Sequence, residues 1–378
     1  MPSTGNVFTY AYKHVDGLPV HIDVYPPHQA ISFEVSAPMP AVIYFHGGAL
    51  TVGNRRSWFP TWLHRRVTEL GMVFISADYR LIPPATGHEI LCDIKDLFHF
   101  IESELNQGIL EDCIATAYAS RPFQINTHAL AVSGSSAGGL CAYLAAIHAS
   151  PRPKAVLSMY GMGGDMTTPQ YLEPKSEPFF RGREILDPGD FSEYLYPAST
   201  QSQPTPDSPL AYHPPTYRIP GYPANPRMLL GRLYLQMGTF LDYYTGSHNP
   251  SLSAILRAHA NEQLQGDYSA SAMENPGSGD LLKTSQQAIP AAHRHLLPQF
   301  MITPALPPMF LIHGSSDTAV VVKESHNLRS LLEKAGVRAE LVVVEGKEHS
   351  FDYEPNAEDE FGGPGGLFDR ASRYQIVT

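Results

Sequence analysis

Short, nearly continuous apolar runs recur along the chain, and most of them end at a glycine or a polar residue. Such runs are typical of strands buried on both faces of a parallel sheet. Between them, apolar residues recur with the period of an α-helix. We therefore predict an α/β fold with a doubly wound, mostly parallel sheet built from right-handed βαβ units. The predicted strands are 42–45, 72–77, 129–132, 155–159, 309–312 and 339–344, and the predicted helices are about 57–70, 89–105, 137–148, 226–245, 249–264 and 323–335, with Ser57 as a candidate N-cap of the first.

The alternation stops over residues 161–300. This stretch holds half of the prolines and half of the tyrosines but few signals of buried strands. An unstructured connection of that length is uncommon inside a compact domain. We therefore predict that residues 1–160 and 301–378 form the core, and that residues 161–300 form a cap or lid over one edge of the sheet. The Tyr and Pro content of the insertion indicates a binding wall that is apolar with polar groups, while the alternative for the helix predicted at 226–245 is packing in the cap core or a dimer interface.

Composition and charge narrow the function classes. Hydrophobic residues make up 43% of the 378 positions, which excludes a disordered or fibrous chain. The formal net charge is −11 and there is no run of Lys or Arg, which argues against binding of nucleic acid or an anionic membrane. No stretch of about 18 apolar residues occurs, so no membrane span is expected. Three cysteines without metal-ligand spacing favour free thiols, and we predict a soluble, cytoplasmic protein.

A serine lies between one predicted strand and one predicted helix, in the sequence GSSAG at residues 134–138. This fits the pattern G-x-S-x-G with Ser136 at its centre. Such a turn holds the serine in a strained backbone with its hydroxyl exposed at the top of the sheet, while the glycines let strand and helix pack closely. The alternative is an ordinary glycine-rich turn. The strand–turn–helix context favours a nucleophile.

A second glycine-containing turn, HGGA at residues 46–49, follows an earlier predicted strand. An acyl-transfer serine needs backbone N–H groups directed at the developing oxyanion, and glycines let the backbone come that close. The turn therefore supplies candidate donors at Gly47, Gly48 and Ala49. The residue directly after the serine, Ala137, is the remaining candidate.

A general base and an acid that orients it should follow the serine, in the order Ser, Asp or Glu, then His. Asp317 comes just after the strand predicted at 309–312, and His349 just after the last predicted strand. Sites in open α/β sheets form at these carboxyl ends of strands. We predict that His349 takes the proton of Ser136 and that Asp317 holds its tautomer. The fallback acids, close to the base in sequence, are Glu345, Glu348 and Asp352.

These motifs, together with the sequence DYRL at 78–81, resemble those of the hormone-sensitive-lipase-like family of α/β-hydrolases. The resemblance covers about 41–160 and 305–355. It implies that Ser136, Asp317 and His349 form a catalytic triad. It also implies an oxyanion hole made by three amides, those of Gly48, Ala49 and Ala137.

The resemblance also assigns supporting roles behind the site to His46 and to residues 78–80. A structural ion pair is the simpler explanation for Asp78 and Arg80. Two positions depart from the family pattern: Ala49 stands where a third glycine is usual, and Ser135 stands where an acidic residue usually precedes the serine.

Other motifs give weaker signals. His293 and His295 lie two residues apart with no third ligand nearby in sequence, so we predict no metal site. The glycine-rich segment 362–366 follows no strand and is interpreted as a link to a last helix rather than a phosphate loop.

Together these features predict an enzyme that needs no cofactor, a serine hydrolase acting on small to medium soluble carboxylic esters. A second hypothesis is a biosynthetic enzyme that hydrolyses, transfers or cyclises a thioester, lactone or amide intermediate. A third is a non-catalytic ligand receptor on the same scaffold, although such receptors usually lack a triad residue, and all three candidates are present here.

Overall fold

An eight-stranded sheet forms the centre of the protein. The computed structural model describes residues 7–27, 38–115, 123–214, 216–218, 222–266 and 286–374. The strand order is β1-β2-β4-β3-β5-β6-β7-β8. Strands β1 and β2 pair antiparallel, β2 joins β4 antiparallel, and the other neighbours are parallel. The strands are Phe8–Val15, Leu18–Tyr25, Met39–Phe45, Val73–Ala77, Ile125–Ser135, Val156–Met159, Met309–Gly314 and Ala339–Val344.

The doubly wound, mostly parallel sheet is confirmed, and each of the six predicted strands corresponds to one of β3 to β8. The hairpin β1–β2 was missed. Its strands mix aromatic, charged and small residues, and β1 is only partly buried along most of its length. Continuous apolar runs mark strands that are buried on both faces, and an edge strand such as β1 has no such run.

Helices flank the sheet and also build the insertion. The α-helices α1 to α12 are Thr61–Glu69, Gly87–Ser103, Leu105–Ala115, Ala137–His148, Pro169–Leu172, Arg227–Gln236, Phe240–Thr245, Leu252–Gly266, Ala291–Arg294, Lys323–Lys334, Ala357–Phe361 and Leu367–Tyr374. Short 3-10 helices lie at Phe180–Gly182, Pro188–Tyr194, Ala198–Gln201, Pro298–Phe300 and Phe351–Tyr353. No helix within the described residues is both long and apolar enough to cross a membrane.

Two helix predictions need correction, one at its start and one in its middle. Ser57 does not cap α1, because the helix begins after Pro60 and the Ser57 hydroxyl instead bonds to Asn54. The helix predicted over 226–245 is two helices, α6 and α7. It breaks at Gly238, whose φ of 63° lies in the left-handed region that ends helices.

Two hydrophobic clusters fill the protein. The larger contains side chains from α2 and α4 and also from the insertion, for example Leu233 of α6 and Tyr244 of α7. The smaller contains side chains of α1 and α12. The described part of the insertion therefore shares a hydrophobic cluster with helices of the sheet-containing core. Residues 267–285 of the insertion lie outside the described ranges.

Candidate active site

The nucleophile candidate lies in a sharp turn between β5 and α4. Ser136 has φ 54° and ψ −122°, a left-handed conformation that costs energy for a residue with a side chain. A Cβ on Gly134 would lie 2.0 Å from the carbonyl oxygen of Gly138, and one on Gly138 would lie 2.0 Å from that of Phe45. Both glycines of the motif are therefore required by close backbone packing.

The residue before the nucleophile is held by a tyrosine. The Ser135 side chain is 2% exposed, and its hydroxyl lies 2.7 Å from that of Tyr44. The Tyr44 hydroxyl also donates to the carbonyl of Trp58 at 3.0 Å. Since burial raises the pKa of Tyr44, its hydroxyl stays neutral. The serine found at position 135 thus has an uncharged hydrogen-bonding partner.

The turn at residues 46–49 lies directly beside the nucleophile. A Cβ on Gly47 would lie 3.4 Å from the Cβ of Ser136. Among the described residues, the main-chain amides of Gly47, Gly48, Ala49 and Ala137 donate to no protein acceptor. Buried amides are nearly always paired, so a group of unpaired amides next to a strained serine is an arrangement that could donate to an oxyanion.

The insertion accommodates the alanine in this turn. Ala49 adopts φ 52°, so its backbone takes the left-handed conformation without a glycine. Its methyl group meets α6 at Gly231, where a Cβ would lie 2.2 Å from that of Ala49. Helix α6 is fixed there by Arg227, which donates to the carbonyls of Thr51 at 3.0 Å and Ile82 at 3.2 Å. Part of the insertion therefore packs directly against the candidate oxyanion turn.

The predicted base and acid are in contact. Asp317 follows β7, His349 follows the neighbouring strand β8, and His349 Nδ1 lies 2.7 Å from Asp317 Oδ2. The two turns are tied together because the Ser316 amide donates to the carbonyl of Lys347 at 3.0 Å. A carboxylate on Nδ1 leaves Nε2 as the nitrogen available to accept a proton.

The Asp317 carboxylate is buried and well partnered. Its Oδ1 accepts the amides of Ala319 and Val320, each at 2.9 Å, and its Oδ2 lies 3.3 Å from His313 Nε2. Burial alone would raise the pKa of Asp317, but the hydrogen bonds from His313 and His349 hold it well below the usual range. The acid is therefore ionised at neutral pH. His313, four residues before the acid, was missed by the sequence analysis.

Within the described residues, none of the three fallback acids forms a hydrogen bond with the ring of His349. Glu345 is exposed, and Glu348 accepts the main-chain amide of His349 rather than a ring N–H. The Asp352 carboxylate accepts a hydrogen bond from the Tyr160 hydroxyl at 2.6 Å. The ring of Tyr160 in turn packs edge-on against that of His349, with centroids 4.6 Å apart. Tyr160 thus supports the base from behind, a role that no sequence motif indicated.

The candidate nucleophile and the candidate base, both among the described residues, do not contact each other through a hydrogen bond. Within the described ranges, the hydroxyl of Ser136 and the ring of His349 form no hydrogen bond, although both follow strands of the same half of the sheet. In hydrolases this contact is often long without substrate and tightens in the complex.

The residues behind the oxyanion turn form a neutral support. His46 is buried, its ring stacks on Tyr79 at 4.4 Å, and its Nδ1 lies 2.7 Å from the Gly47 carbonyl oxygen. Burial lowers the pKa of His46 to about 4, so the ring carries no charge at neutral pH. The Tyr79 hydroxyl donates to the His46 carbonyl at 2.7 Å.

The ion pair considered between Asp78 and Arg80 is wrong. Asp78 pairs with Arg55 at 2.7 Å, and Arg80 pairs with Asp93 at 2.8 Å. Each pair joins segments that lie apart in sequence, so the fold decides the partners.

His293 and His295, which were considered as metal ligands, form hydrogen bonds within the protein. His293 Nδ1 lies 3.0 Å from His88 Nε2, and His293 Nε2 lies 2.8 Å from the Ser247 hydroxyl. His148 Nε2 lies 2.8 Å from the carbonyl oxygen of His295. In the part of the chain that the structure describes, no group of three or more His, Cys, Asp or Glu side chains is arranged to hold a metal ion.

A buried carboxyl group ties the start of the insertion to α10. Glu324 accepts the amides of Gly163 at 2.7 Å and Gly164 at 3.1 Å, and its other oxygen lies 2.5 Å from the Tyr171 hydroxyl. Burial raises the pKa of Glu324 to about 8, despite these hydrogen bonds. The amide of Met162, just before, donates to the carbonyl of Ser136 at 3.0 Å, so Glu324 supports the backbone beside the nucleophile.

We expect this group to make stability depend on pH. Between about 4.5 and 8, folded Glu324 keeps a proton that the unfolded chain has lost, so the unfolding free energy falls as pH rises, by at most about 1.4 kcal/mol per pH unit. Glu324→Gln mimics the protonated acid and should remove this slope. Denaturant unfolding at pH 5 and 7.5 measures it. Glu333→Gln, on the exposed side of the same helix, should leave the slope unchanged; equal slopes in all three proteins would contradict the assignment.

Comparisons with known proteins bear on the fold. A family model described as α/β-hydrolase fold matches residues 42–219, and a model of the prolyl oligopeptidase family matches residues 247–362. An α/β-hydrolase superfamily protein from Enterococcus faecalis has a TM-score of 0.56 and 16% identity, over 98% of this chain and 99% of that one. The fold is therefore that of the α/β-hydrolases.

Two relatives differ in how much of this chain they match. The probable carboxylesterase M8 of a Phoma species is 27% identical over 155 residues, 40% of this chain and 46% of the relative. The non-reducing polyketide synthase pkbA of Emericella nidulans is 26% identical over 355 residues, 90% of this chain but 13% of the relative. The aligned part is thus less than half of either relative.

Proposed function

We propose that this chain is a hormone-sensitive-lipase-like α/β-hydrolase, and that it is a serine hydrolase that cleaves carboxylic esters of small to medium soluble substrates. The observation that carries the proposal is the strained Ser136 beside amides without protein acceptors. Such a turn combines a nucleophile with preformed stabilisation of an oxyanion. The hydrogen bond between His349 and Asp317 supports the rest of a triad.

The proposed reaction passes through an acyl-enzyme. The Ser136 hydroxyl attacks the ester carbonyl while His349 Nε2 takes its proton. The tetrahedral oxyanion accepts hydrogen bonds from amides of the 46–49 turn and from that of Ala137. His349 then protonates the leaving alkoxide, and later activates the water that releases the acid. Throughout, ionised Asp317 holds the base with Nε2 toward the serine and stabilises its charged form.

A second candidate keeps the nucleophile and changes the substrate to a thioester intermediate of polyketide-like chemistry. The observation that favours it is the extent of the match to pkbA. An alignment over 90% of the chain leaves about a tenth outside, so it includes most of residues 161–300. The match to the carboxylesterase extends over only 40% of this chain. The insertion packs on the oxyanion turn through α6, so we propose that residues 161–300 act as the cap that sets specificity.

We expect the two candidates to separate on a matched substrate pair. One acyl group is presented as a phenyl ester and as an N-acetylcysteamine thioester, with and without an added alcohol or thiol acceptor, and products are identified by mass spectrometry. Hydrolysis to free acid from the oxygen ester in water alone supports the esterase. Turnover confined to the thioester, or product formed only with an acceptor, supports the biosynthetic enzyme. Ser136→Ala controls for spontaneous reaction with each substrate.

Location and assembly stay predictions. The three cysteines are free thiols in the structure, as expected for a cytoplasmic protein. A homodimer formed through the insertion stays a hypothesis that a sedimentation experiment would test. The receptor hypothesis gains no support from the sequence, because the three triad candidates Ser136, Asp317 and His349 are all present in it.

A further inference from the structure

An aromatic side chain lies against the candidate oxyanion turn. A Cβ on Gly48 would lie 3.0 Å from Cζ3 of the Trp58 indole, so the six-membered ring packs over the bare Cα of that glycine. The Trp58 side chain is only half-buried. Among the described residues, its ring makes no stacked or edge-on contact with another aromatic ring. A partly exposed indole therefore lies against the turn where the scissile carbonyl would bind.

The backbone of Trp58 is held in place from the nucleophile side. Its φ of 44° is left-handed, and its carbonyl accepts hydrogen bonds from the hydroxyls of Tyr44 and Tyr353. The Tyr44 hydroxyl also contacts Ser135, the residue before the nucleophile. Position 58 is thus coupled to the nucleophile turn. Strained residues persist where surrounding contacts hold them, and they concentrate at ligand sites.

The other tryptophan of the chain shows what a structural indole looks like in this fold. Trp62 is buried, its ring stacks on Phe368 at 4.0 Å, and its N–H donates to Asp352 at 3.0 Å. Its ring and its N–H group therefore both have partners within the protein. Trp58 has no such ring partner within the described residues, so its partly exposed ring is available to stack on a ligand.

We propose that Trp58 is a specificity-determining residue that stacks on an aromatic ring in the acyl part of the substrate. The substrate class is an arylacyl ester or thioester, so the inference rests on the proposed function. The leaving group must reach His349, which follows β8, whereas the 46–49 turn follows β3 on the other side of the nucleophile strand β5. An acyl group bound away from His349 therefore lies on the side where Trp58 packs.

The kinetic test compares two 4-nitrophenyl esters, the phenylacetate and the cyclohexylacetate. The two esters have the same leaving group and acyl groups of similar size, but only the phenylacetate has a flat aromatic ring that can stack. We expect Trp58→Leu to lower the phenylacetate preference, measured as a ratio of kcat/KM values, by about tenfold. Trp58→Phe should keep most of the preference. Phe59→Leu is the matched control, since the Phe59 ring packs on Tyr25 and Phe74 instead, and its ratio should stay that of the wild type.

An unchanged ratio in Trp58→Leu would overturn the proposal. So would a change seen only when the aromatic ring is moved to the alcohol part of the ester. A binding experiment separates this failure from failure of the proposed function. Methyl phenylacetate is titrated into Ser136→Ala protein, and tryptophan emission is followed with and without the second substitution Trp58→Leu. A change in emission that disappears with Trp58 supports the stacking even if Ser136 performs no hydrolysis; no change at saturating ligand would contradict it.

Discussion

Replacing Ser136 with alanine is expected to lower kcat for ester hydrolysis by about a million-fold, the loss typical of removing a serine nucleophile. The oxyanion amides and the Asp317–His349 pair would remain, but no acyl-enzyme could form. Steady-state hydrolysis of 4-nitrophenyl butyrate measures the effect. The substitution removes one oxygen from a partly exposed side chain, so the folded structure should persist, as circular dichroism would check.

The neighbouring serine provides the matched control. Ser135 is buried and its hydroxyl bonds to Tyr44, so Ser135→Ala should cost about 1 kcal/mol of stability and change kcat less than tenfold. If the protein lost activity with Ser135→Ala and kept it with Ser136→Ala, the assignment of the nucleophile would be wrong.

Replacing Asp317 with asparagine is expected to lower kcat by about ten-thousand-fold with little change in KM. Asparagine can still accept the amides of Ala319 and Val320, so the turn should keep its shape. Its side-chain NH2 would face His349 Nδ1, however, and favour the tautomer whose Nε2 carries a proton and cannot act as a base. Steady-state kinetics across pH 6 to 9, with thermal unfolding as the folding check, measures the effect.

The control for this prediction is Glu348→Gln. Glu348 is the acid next to the base in sequence, but its carboxylate contacts Thr318 and the main chain of His349 rather than the ring. We expect kcat to stay within tenfold of the wild type. A collapse of kcat in Glu348→Gln, with activity retained in Asp317→Asn, would identify a different orienting acid.

The sequence pattern predicted the parallel part of the sheet because strands buried on both faces are apolar at nearly every position, as in β4. The hairpin β1–β2 escaped this test, since a partly exposed strand keeps polar residues on one face. The break at Gly238 escaped it too, because an apolar stripe continues across the turn from α6 to α7. Periodicity reports which face is buried, and it does not report where one helix ends and the next begins.

In the candidate site, the reacting residues were predictable from the sequence and their supporting side chains were not. Motif and chain order brought forward Ser136, Asp317 and His349, because each follows a strand and the chemistry requires those residue types. The side chains that hold these residues in place could not be predicted from the sequence. Tyr44 and Ser135 are 91 residues apart in the chain, and Tyr160 and Asp352 are 192 apart, so only the folded structure brings them together.

The insertion is the least predictable part, because outside the helices predicted at 226–245 and 249–264 its prolines and tyrosines indicate no regular pattern. Within the described residues it meets the site at more than one place: the amide of Met162 donates to the carbonyl of Ser136 at 3.0 Å, and Gly231 of α6 lies against Ala49. This contact also gives a physical reason for the alanine in the oxyanion turn: the Ala49 methyl lies where α6 has no side chain. Substrate choice should therefore respond to changes in α6 as well as at Trp58.

The most direct test of the central claim is to treat the folded protein with a fluorophosphonate and map the adduct by peptide mass spectrometry. A fluorophosphonate modifies a serine only when a base activates it and an oxyanion site stabilises the adduct. We predict one adduct, on Ser136, retained in Ser135→Ala and lost in Ser136→Ala. An adduct on another residue, or none on well-folded protein, would contradict the assignment of Ser136 as a working nucleophile.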